Sequence, residues 1–361
     1  MFHKALWMRQ WKQGKYIILL FWLISLYQLP YKYYQAAQMA LKQSTMKFDD
    51  YTYYYSYYFQ TDEGVFFQGA TLIALACLLI GWERNNQSTD FLFSMPFKRK
   101  DIFLTKWLFG VFNIIAVQVI CWISMYGIKN GSFHNEYQIF TPFHSYFLYA
   151  TVVLIATYTF ALFIGTITGN IFSQSSLTAI LLFLPYGLVL LISGFIYSNT
   201  QGSVEALGEI ERKTHIYLQH ESIISPLESF SITYDYHPIE TFDDDGNKLS
   251  SVPQDNPMEH TSVPSPWKLL TPFAYIMILL PLSIFLYTRT PNEQNGKILL
   301  FPSLQKWFML CTVLCFGLLG GRILGGRDAL LSYYIGFFLF AIISYFTFTR
   351  LLKLKFAFGG K

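Results

Sequence analysis

Charge is what this chain has least of. Only 13% of its 361 residues are Asp, Glu, Lys or Arg, against 53% hydrophobic. Soluble domains carry about 25% charged residues, so a chain of this size could not cover a water-facing surface. An ordinary soluble enzyme is thereby excluded. Cysteine is scarce as well. Cys77, Cys121, Cys311 and Cys315 all lie inside apolar runs, with no CxxC pair and no metal-ligand spacing, and read as small buried hydrophobes. There is no GxxxxGK[ST] loop to cradle nucleotide phosphates, no HExxH and no GxSxG. The long apolar runs are nearly free of ionisable residues, which argues against a proton-coupled carrier built on intramembrane carboxylates. Arg322 lies near the end of its run, where it can snorkel to the interface. A small-residue cleavage site is missing after the first apolar run, 16–29, which therefore reads as a retained signal-anchor helix.

What is there is apolar and aromatic. Phe, Tyr and Trp make up 19% of the residues, a load that suits a lipid-facing body with interfacial belts. Spanning hydrocarbon takes about 20 mostly apolar residues, and eight segments qualify: 16–34, 64–82, 107–127, 146–169, 177–197, 269–287, 307–324 and 330–348. The expected fold is an all-α polytopic membrane protein of about eight transmembrane helices with a small extracellular lobe containing some β structure. Its organisation runs from an interfacial N-terminal helix (1–15) through helices one to five (16–197), with a loop at 83–106. The lobe (198–266), helices six to eight (267–348) and a basic tail (349–361) follow.

The basic residues set the expected orientation. Sixteen of the 26 fall in segments that alternate spans would place on one side: Lys4 to Lys15, Arg84 to Lys106, Arg289 to Lys306 and Arg350 to Lys361. By the positive-inside rule that side, with both termini, is the cytoplasm. Twelve of the 22 acidic residues fall in 198–266, the one stretch with the polarity of a soluble domain. Within it 231–236 alternates as a strand does, and 243–248 reads as a tight turn before another strand. The tyrosine-rich run 50–59, in the other outer loop, reads first as an interfacial aromatic belt, and alternatively as a contact surface.

Polar residues within the spans are few. Asn113 and Gln118 in the third span, and Thr157 and Thr159 in the fourth, are expected to hydrogen-bond between helices or to line a path. Gly165–Gly169 and Gly321–Gly325 form GxxxG patterns that permit close helix approach. His215 and His220 are spaced for neither one helix face nor one strand face, so no metal site is expected. Nucleic acid is not an expected partner either; the lipid bilayer is.

The segment 83–106 carries most information. Ser88, Thr89 or Asp90 can cap a short helix, which Phe91, Leu92, Phe93 and Met95 make apolar. Pro96 ends it, and Lys98, Arg99 and Lys100 follow, with Lys106 before the next span. A short apolar helix on basic shoulders is suited to docking in a groove of a cytosolic partner; the alternative is a segment lying on the inner leaflet.

The stretch 92–106, LFSMPFKRKDIFLTK, resembles the loop between the second and third spans of ABC-2 type ABC-transporter permeases. The loop 289–301, RTPNEQNGKILLF, is similar to that of Ytr-type permeases of Gram-positive bacteria, a branch linked with acetoin utilisation. The resemblance implies a permease subunit in a bacterial plasma membrane, with no cofactor of its own. A separate cytosolic ATPase would hold ATP and Mg and dock on Asp90, Phe91, Leu92, Phe93, Met95, Pro96, Lys98, Arg99, Lys100 and Lys106. It also implies a second permease subunit, identical or not. Export of an amphipathic molecule, acetoin transport, and a sensor with a ligand-binding lobe are the functional expectations. Eight spans and a lobe depart from the six-span pattern of simpler members.

Overall fold

The computed structural model describes residues 3–45, 54–59, 61–86, 88–200, 209, 212, 222–236, 239–242, 248–252, 260–325 and 330–353. Helices follow the apolar runs, because in hydrocarbon every backbone N–H must find its acceptor within its own segment. Seven are long and apolar enough to cross a membrane: Glu63–Asn85, Arg99–Gly131, Thr141–Ile167, Ile171–Asn199, Pro266–Thr288, Pro302–Leu324 and Leu330–Leu351. The chain is an all-α multi-pass membrane protein.

The expected first span, 16–34, is not among the seven, because Gln28, Pro30, Lys32 and several tyrosines dilute its hydropathy. Its geometry nevertheless makes it a crossing. Helix α1 (Lys4–Leu26) continues through a π-helical turn at Tyr27–Tyr31 into α2 (Lys32–Thr45). Pro30 lies in that turn; without an N–H, and with a ring that clashes with the preceding turn, it widens the ladder. Helix α3 (Thr61–Ala76) leads through a second π turn, Cys77–Trp82, into the short α4 (Glu83–Asn85). Arg9 pairs with Glu83 at one end of the two helices (3.2 Å), and Lys32 pairs with Glu63 at the other (2.8 Å). The first helix therefore runs antiparallel to α3 over its full length. At 1.5 Å per residue, Arg9 to Lys32 rises roughly 34 Å, enough to cross a hydrocarbon core of about 30 Å. Among the described residues of the expected interfacial helix 1–15, Lys4 to Lys15 belong to the same unbroken α1.

After α5 (Ser88–Ser94) come the long α6 (Arg99–Gly131), the single-turn α7 (His134–Tyr137), α8 (Thr141–Ile167) and α9 (Ile171–Thr200). Later elements are α10 (Ser225–Glu228), α11 (Leu270–Thr288), α12 (Pro302–Leu324) and α13 (Leu330–Leu351). Helices α1, α3, α6 and α8 form the packed centre, with α8 the most enclosed, and α11 lies on α8 and α6. The hairpin α12–α13 stands apart against α9. Its two helices approach through Gly320 and Gly336, where a Cβ on Gly336 would meet the Gly320 carbonyl. Gly321 and Gly325 of the second GxxxG pattern face Tyr333 across this contact.

The lobe at the far end is assembled from both outer loops. Strand β1 (Ser56–Phe59) pairs antiparallel with β2 (Ile232–Asp235), while β3 (Ile239–Phe242) pairs with β4 (Lys248–Val252). Of the turn expected at 243–248, residues 243–247 lie outside the described residues and Lys248 opens β4; the pair His215 and His220 also lies outside the described residues. The tyrosine run does not form an interfacial belt where it is described. Tyr55 and Phe59 are buried, because strand pairing turns alternate residues of β1 inward. Behind the sheet His134 is fully buried. Its Nε2 donates to the Tyr33 carbonyl (3.2 Å), so its Nδ1 accepts from the Tyr55 hydroxyl (2.6 Å). Burial pushes the His134 pKa down to about 4, and Gln138 bonds both Tyr33 and Tyr55.

Candidate functional site at the basic end

The segment 83–106 closes on itself through an ion pair. Glu83 at its first position is almost wholly buried, and Lys106 near its last is wholly so. Lys106 Nζ lies 2.6 Å from Glu83 Oε2, and Arg9 lies 3.2 Å from Oε1. One carboxylate thus ties α1, the end of the α3 span and α6 together. The π turn at Cys77–Trp82 helps to make this possible, because a π turn breaks the regular helical hydrogen-bond ladder and leaves carbonyls open. Lys106 donates to the Leu79 carbonyl and Gln13 Nε2 to the Leu78 carbonyl (2.7 Å). Gly81 is required beside it: a Cβ there would sit 2.7 Å from Ile171 Cα.

Arg84, also buried, donates to the Gly165 and Thr168 carbonyls. These belong to the last turn of α8, where carbonyls lack helical partners and the helix dipole favours a cation. The turn between α8 and α9 is in turn sewn to the segment before α12. Gly169 N donates to the Lys297 carbonyl (3.1 Å), Gly296 N to the Gly169 carbonyl (2.9 Å) and Leu300 N to the Ile167 carbonyl (2.9 Å). Gly296 has a φ of 88°, a conformation other side chains rarely adopt. Asn170 Oδ1 caps α9 by accepting from Ser173 N (2.7 Å).

Helix α5 sits on this platform. Leu92 is fully buried. The Phe93 ring meets Tyr287 edge-on at 5.7 Å and lies under the Arg99 guanidinium at 4.1 Å. Arg99 donates to the Thr288 and Thr290 carbonyls (3.2 and 3.4 Å), and Asn295 to Thr89 Oγ1 (3.2 Å). Met95 is half-buried, and Phe97 packs on His3 with centroids 4.9 Å apart. What remains exposed between α5 and the start of α6 is Phe91, at 67%, with Ser94, Pro96, Lys98 and Lys100. Asp90 belongs to α5, but its side chain is outside the described residues.

Two residues expected as docking contacts cannot touch a partner from these positions. Leu92 is packed into the core, and Lys106 has no exposed surface because it neutralises Glu83. Arg99 roots the segment instead of crowning it. The sequence counted Glu83, Arg84 and Arg9 among the residues of water-facing ends. Their position at the end of an apolar run was the signal available, and it does not distinguish an exposed charge from a buried one. Tyr287, which underlies Phe93, stands in the sequence only as the end of an apolar run.

The polar residues within the spans are dispersed through the packing. Gln118 bonds Gln68 (3.2 Å), Gln68 bonds Ser25 (2.9 Å) and Ser25 bonds the Phe21 carbonyl (2.7 Å), a buried chain linking α6, α3 and α1. Asn113 accepts from Trp22 (3.4 Å) and donates to the Phe109 carbonyl. Thr159 accepts from Trp107 (2.9 Å). Thr157 bonds back to Val153 in its own helix and also lines a groove. That groove runs along α3 beside α9 as two stretches of about 650 and 520 Å³ that share Ala70 and Ile73. It reaches from Trp82 and Asn85 near the basic end to Leu227 beneath the lobe. Gly69, Ala70 and Ala74 give it depth, and its walls are apolar.

Comparison with known proteins agrees with this layout. The family model described as ABC-2 family transporter protein matches residues 51–210, a stretch that includes α3 to α9 and the whole of 83–106. The chain is 25% identical over 258 residues to the "Probable ABC transporter permease YtrC" of Bacillus subtilis (strain 168), covering 70% of this chain and 68% of that protein. No solved structure matches it significantly. Over these stretches the chain is similar to ABC-2 type transporter permeases, a Ytr-type permease among them.

Proposed function

We propose that the basic end faces the cytoplasm and that α5 with the turn after it is where the ATPase docks. The observation that carries this is the exposure of Phe91, Pro96, Lys98 and Lys100 on a base rooted by Leu92, Phe93 and Arg99. An aromatic anchor ringed by cations fits an acidic-rimmed cytosolic groove, and a rigid base transmits displacement instead of absorbing it. ATP and Mg belong to the partner chain, and this chain hydrolyses nothing. Two ATPase subunits closing on ATP would press on two such segments, one from each permease subunit, and switch the pair between inward- and outward-facing states. The switch requires contacts that differ between those states. Both termini are cytoplasmic in this arrangement.

The cargo is an amphipathic molecule moved outward along the α3–α9 groove. Apolar walls that run from one end of the span to the other support this over a small polar molecule such as acetoin. Exposed Phe66, Phe172 and Phe183 along the groove leave it accessible from the bilayer, as an exporter of membrane-dissolved molecules needs.

The test is co-purification with the ATPase. The triple variant Phe91→Asp, Lys98→Glu, Lys100→Glu changes only outward-facing side chains. It should lose the ATPase while the permease still elutes as a single species. An ATPase that remains bound would show that docking lies elsewhere.

A further inference from the structure

A second crevice lies at the basic end, away from the coupling segment and the α3–α9 groove. It is about 460 Å³, within the range of small-ligand sites, and forms where α9 starts, α12 starts and α13 ends. Its α9 wall changes character with depth. Asn170, Ser173 and Ser176 come first, with Phe172 beside them, then Leu177 and Ile180, opposite Phe308 and Phe348. From Asn170 to Ile180 the helix rises roughly 15 Å, which is half of a hydrocarbon core about 30 Å thick. A mouth of three polar residues and Phe172 above an apolar wall one leaflet deep has the profile of a single lipid.

Charge selects the kind of lipid. Lys297 precedes the lining residue Ile298, and Arg350 precedes the lining residue Leu351. Lys306 and Lys353 each stand two residues from a lining residue, and Lys306, Arg350 and Lys353 are exposed. Helices α9, α12 and α13 contain no Asp or Glu, and neither does 294–325. Four cations, with the exposed Glu293 the one acidic residue close to them in sequence, beside the positive N-terminal end of a 30-residue helix, complement a phosphodiester headgroup.

We propose that this crevice binds one anionic phospholipid of the inner leaflet, with its phosphate among Lys297, Arg350 and the start of α9 and an acyl chain against Ile180, Phe308 and Phe348. The lipid fastens the α12–α13 hairpin, which otherwise packs mainly on α9. The site stands independently of the cargo and of ATPase docking.

Native mass spectrometry of the purified full-length chain, with phosphatidylglycerol or phosphatidylcholine added, tests this. Phosphatidylglycerol should be retained selectively. Neutralising the four cations to Gln should weaken that retention at least tenfold, since each basic residue near an anionic surface contributes roughly fivefold in affinity. Lys12→Gln with Lys15→Gln, at the same end but away from the crevice, should leave it unchanged. Ser176→Trp, which fills the mouth, should abolish it. The neutralised variant keeps the test valid if the tryptophan variant misfolds, because its changes are at the surface. Equal retention of both lipids overturns the proposal, as does an equal loss in the Lys12 and Lys15 variant or full retention in the neutralised one.

Discussion

The Glu83 cluster makes a quantitative prediction about the basic end. Glu83→Gln removes one negative charge and keeps the shape. Lys106, with no exposed surface and its 2.6 Å partner gone, would be left with the Leu79 carbonyl as its hydrogen-bond partner and the cationic Arg9 and Arg84 close by. Breaking a buried pair from one side costs about 3–5 kcal/mol, because the orphaned charge stays desolvated. Lys106→Met should cost less, roughly 1–3 kcal/mol, since Glu83 retains Arg9 at 3.2 Å and that arginine is a quarter exposed. The double variant Glu83→Gln, Lys106→Met leaves neither charge buried. It should therefore be more stable than Glu83→Gln alone, with a coupling energy of about 2 kcal/mol or more in the cycle. Reversible unfolding of the protein in mixed micelles, followed by tryptophan fluorescence, supplies the four stabilities. Two single effects that simply add would refute the reasoning, because they would mean that Lys106 and Glu83 do not sense each other. A Lys106→Met variant more damaging than Glu83→Gln would also refute it, by showing that the orphaned ammonium is not the main cost.

The other end offers a contrast. Lys32 and Glu63 pair at 2.8 Å but are 39% and 52% exposed, so Lys32→Ala should change stability by no more than about 0.5 kcal/mol; a loss above 2 kcal/mol would contradict that. Gly169→Ala places a methyl against the backbone carbonyl of Lys297, which cannot rotate away. We expect a loss of about 1–3 kcal/mol and faster tryptic cleavage after Lys297, and unchanged cleavage would show that the two turns are not clamped. His134, held neutral with its pKa near 4, titrates near 6.5 when unfolded. Its contribution is therefore complete above pH 6.5 and lost as pH falls toward 4, at up to about 1.4 kcal/mol per pH unit. Hydrogen exchange of the β1–β2 amides, corrected for intrinsic rate, should accelerate over that window in the native chain and not in His134→Gln.

The membrane class of this protein was legible in its sequence because hydropathy is a local property. Each span must satisfy its own backbone and meet lipid, so a window of residues suffices to find it, and the scarcity of charge excludes soluble alternatives. The segment 83–106 stood out for the same reason: an apolar turn bounded by proline and cations is written in consecutive residues. Pairing between distant residues is not written there. Only the tertiary structure brought Arg9, Glu83 and Lys106 into one buried cluster, which turned Lys106 from an expected surface contact into an internal counter-ion. It also set Tyr55 and Phe59 behind a strand whose partner lies far along the chain in the lobe. The first helix is the intermediate case. Its composition falls short of a span, and two ion pairs to α3, one at each end, decide that it crosses. Spacing shows which residues a helix carries, and only packing settles which of their charges lose water.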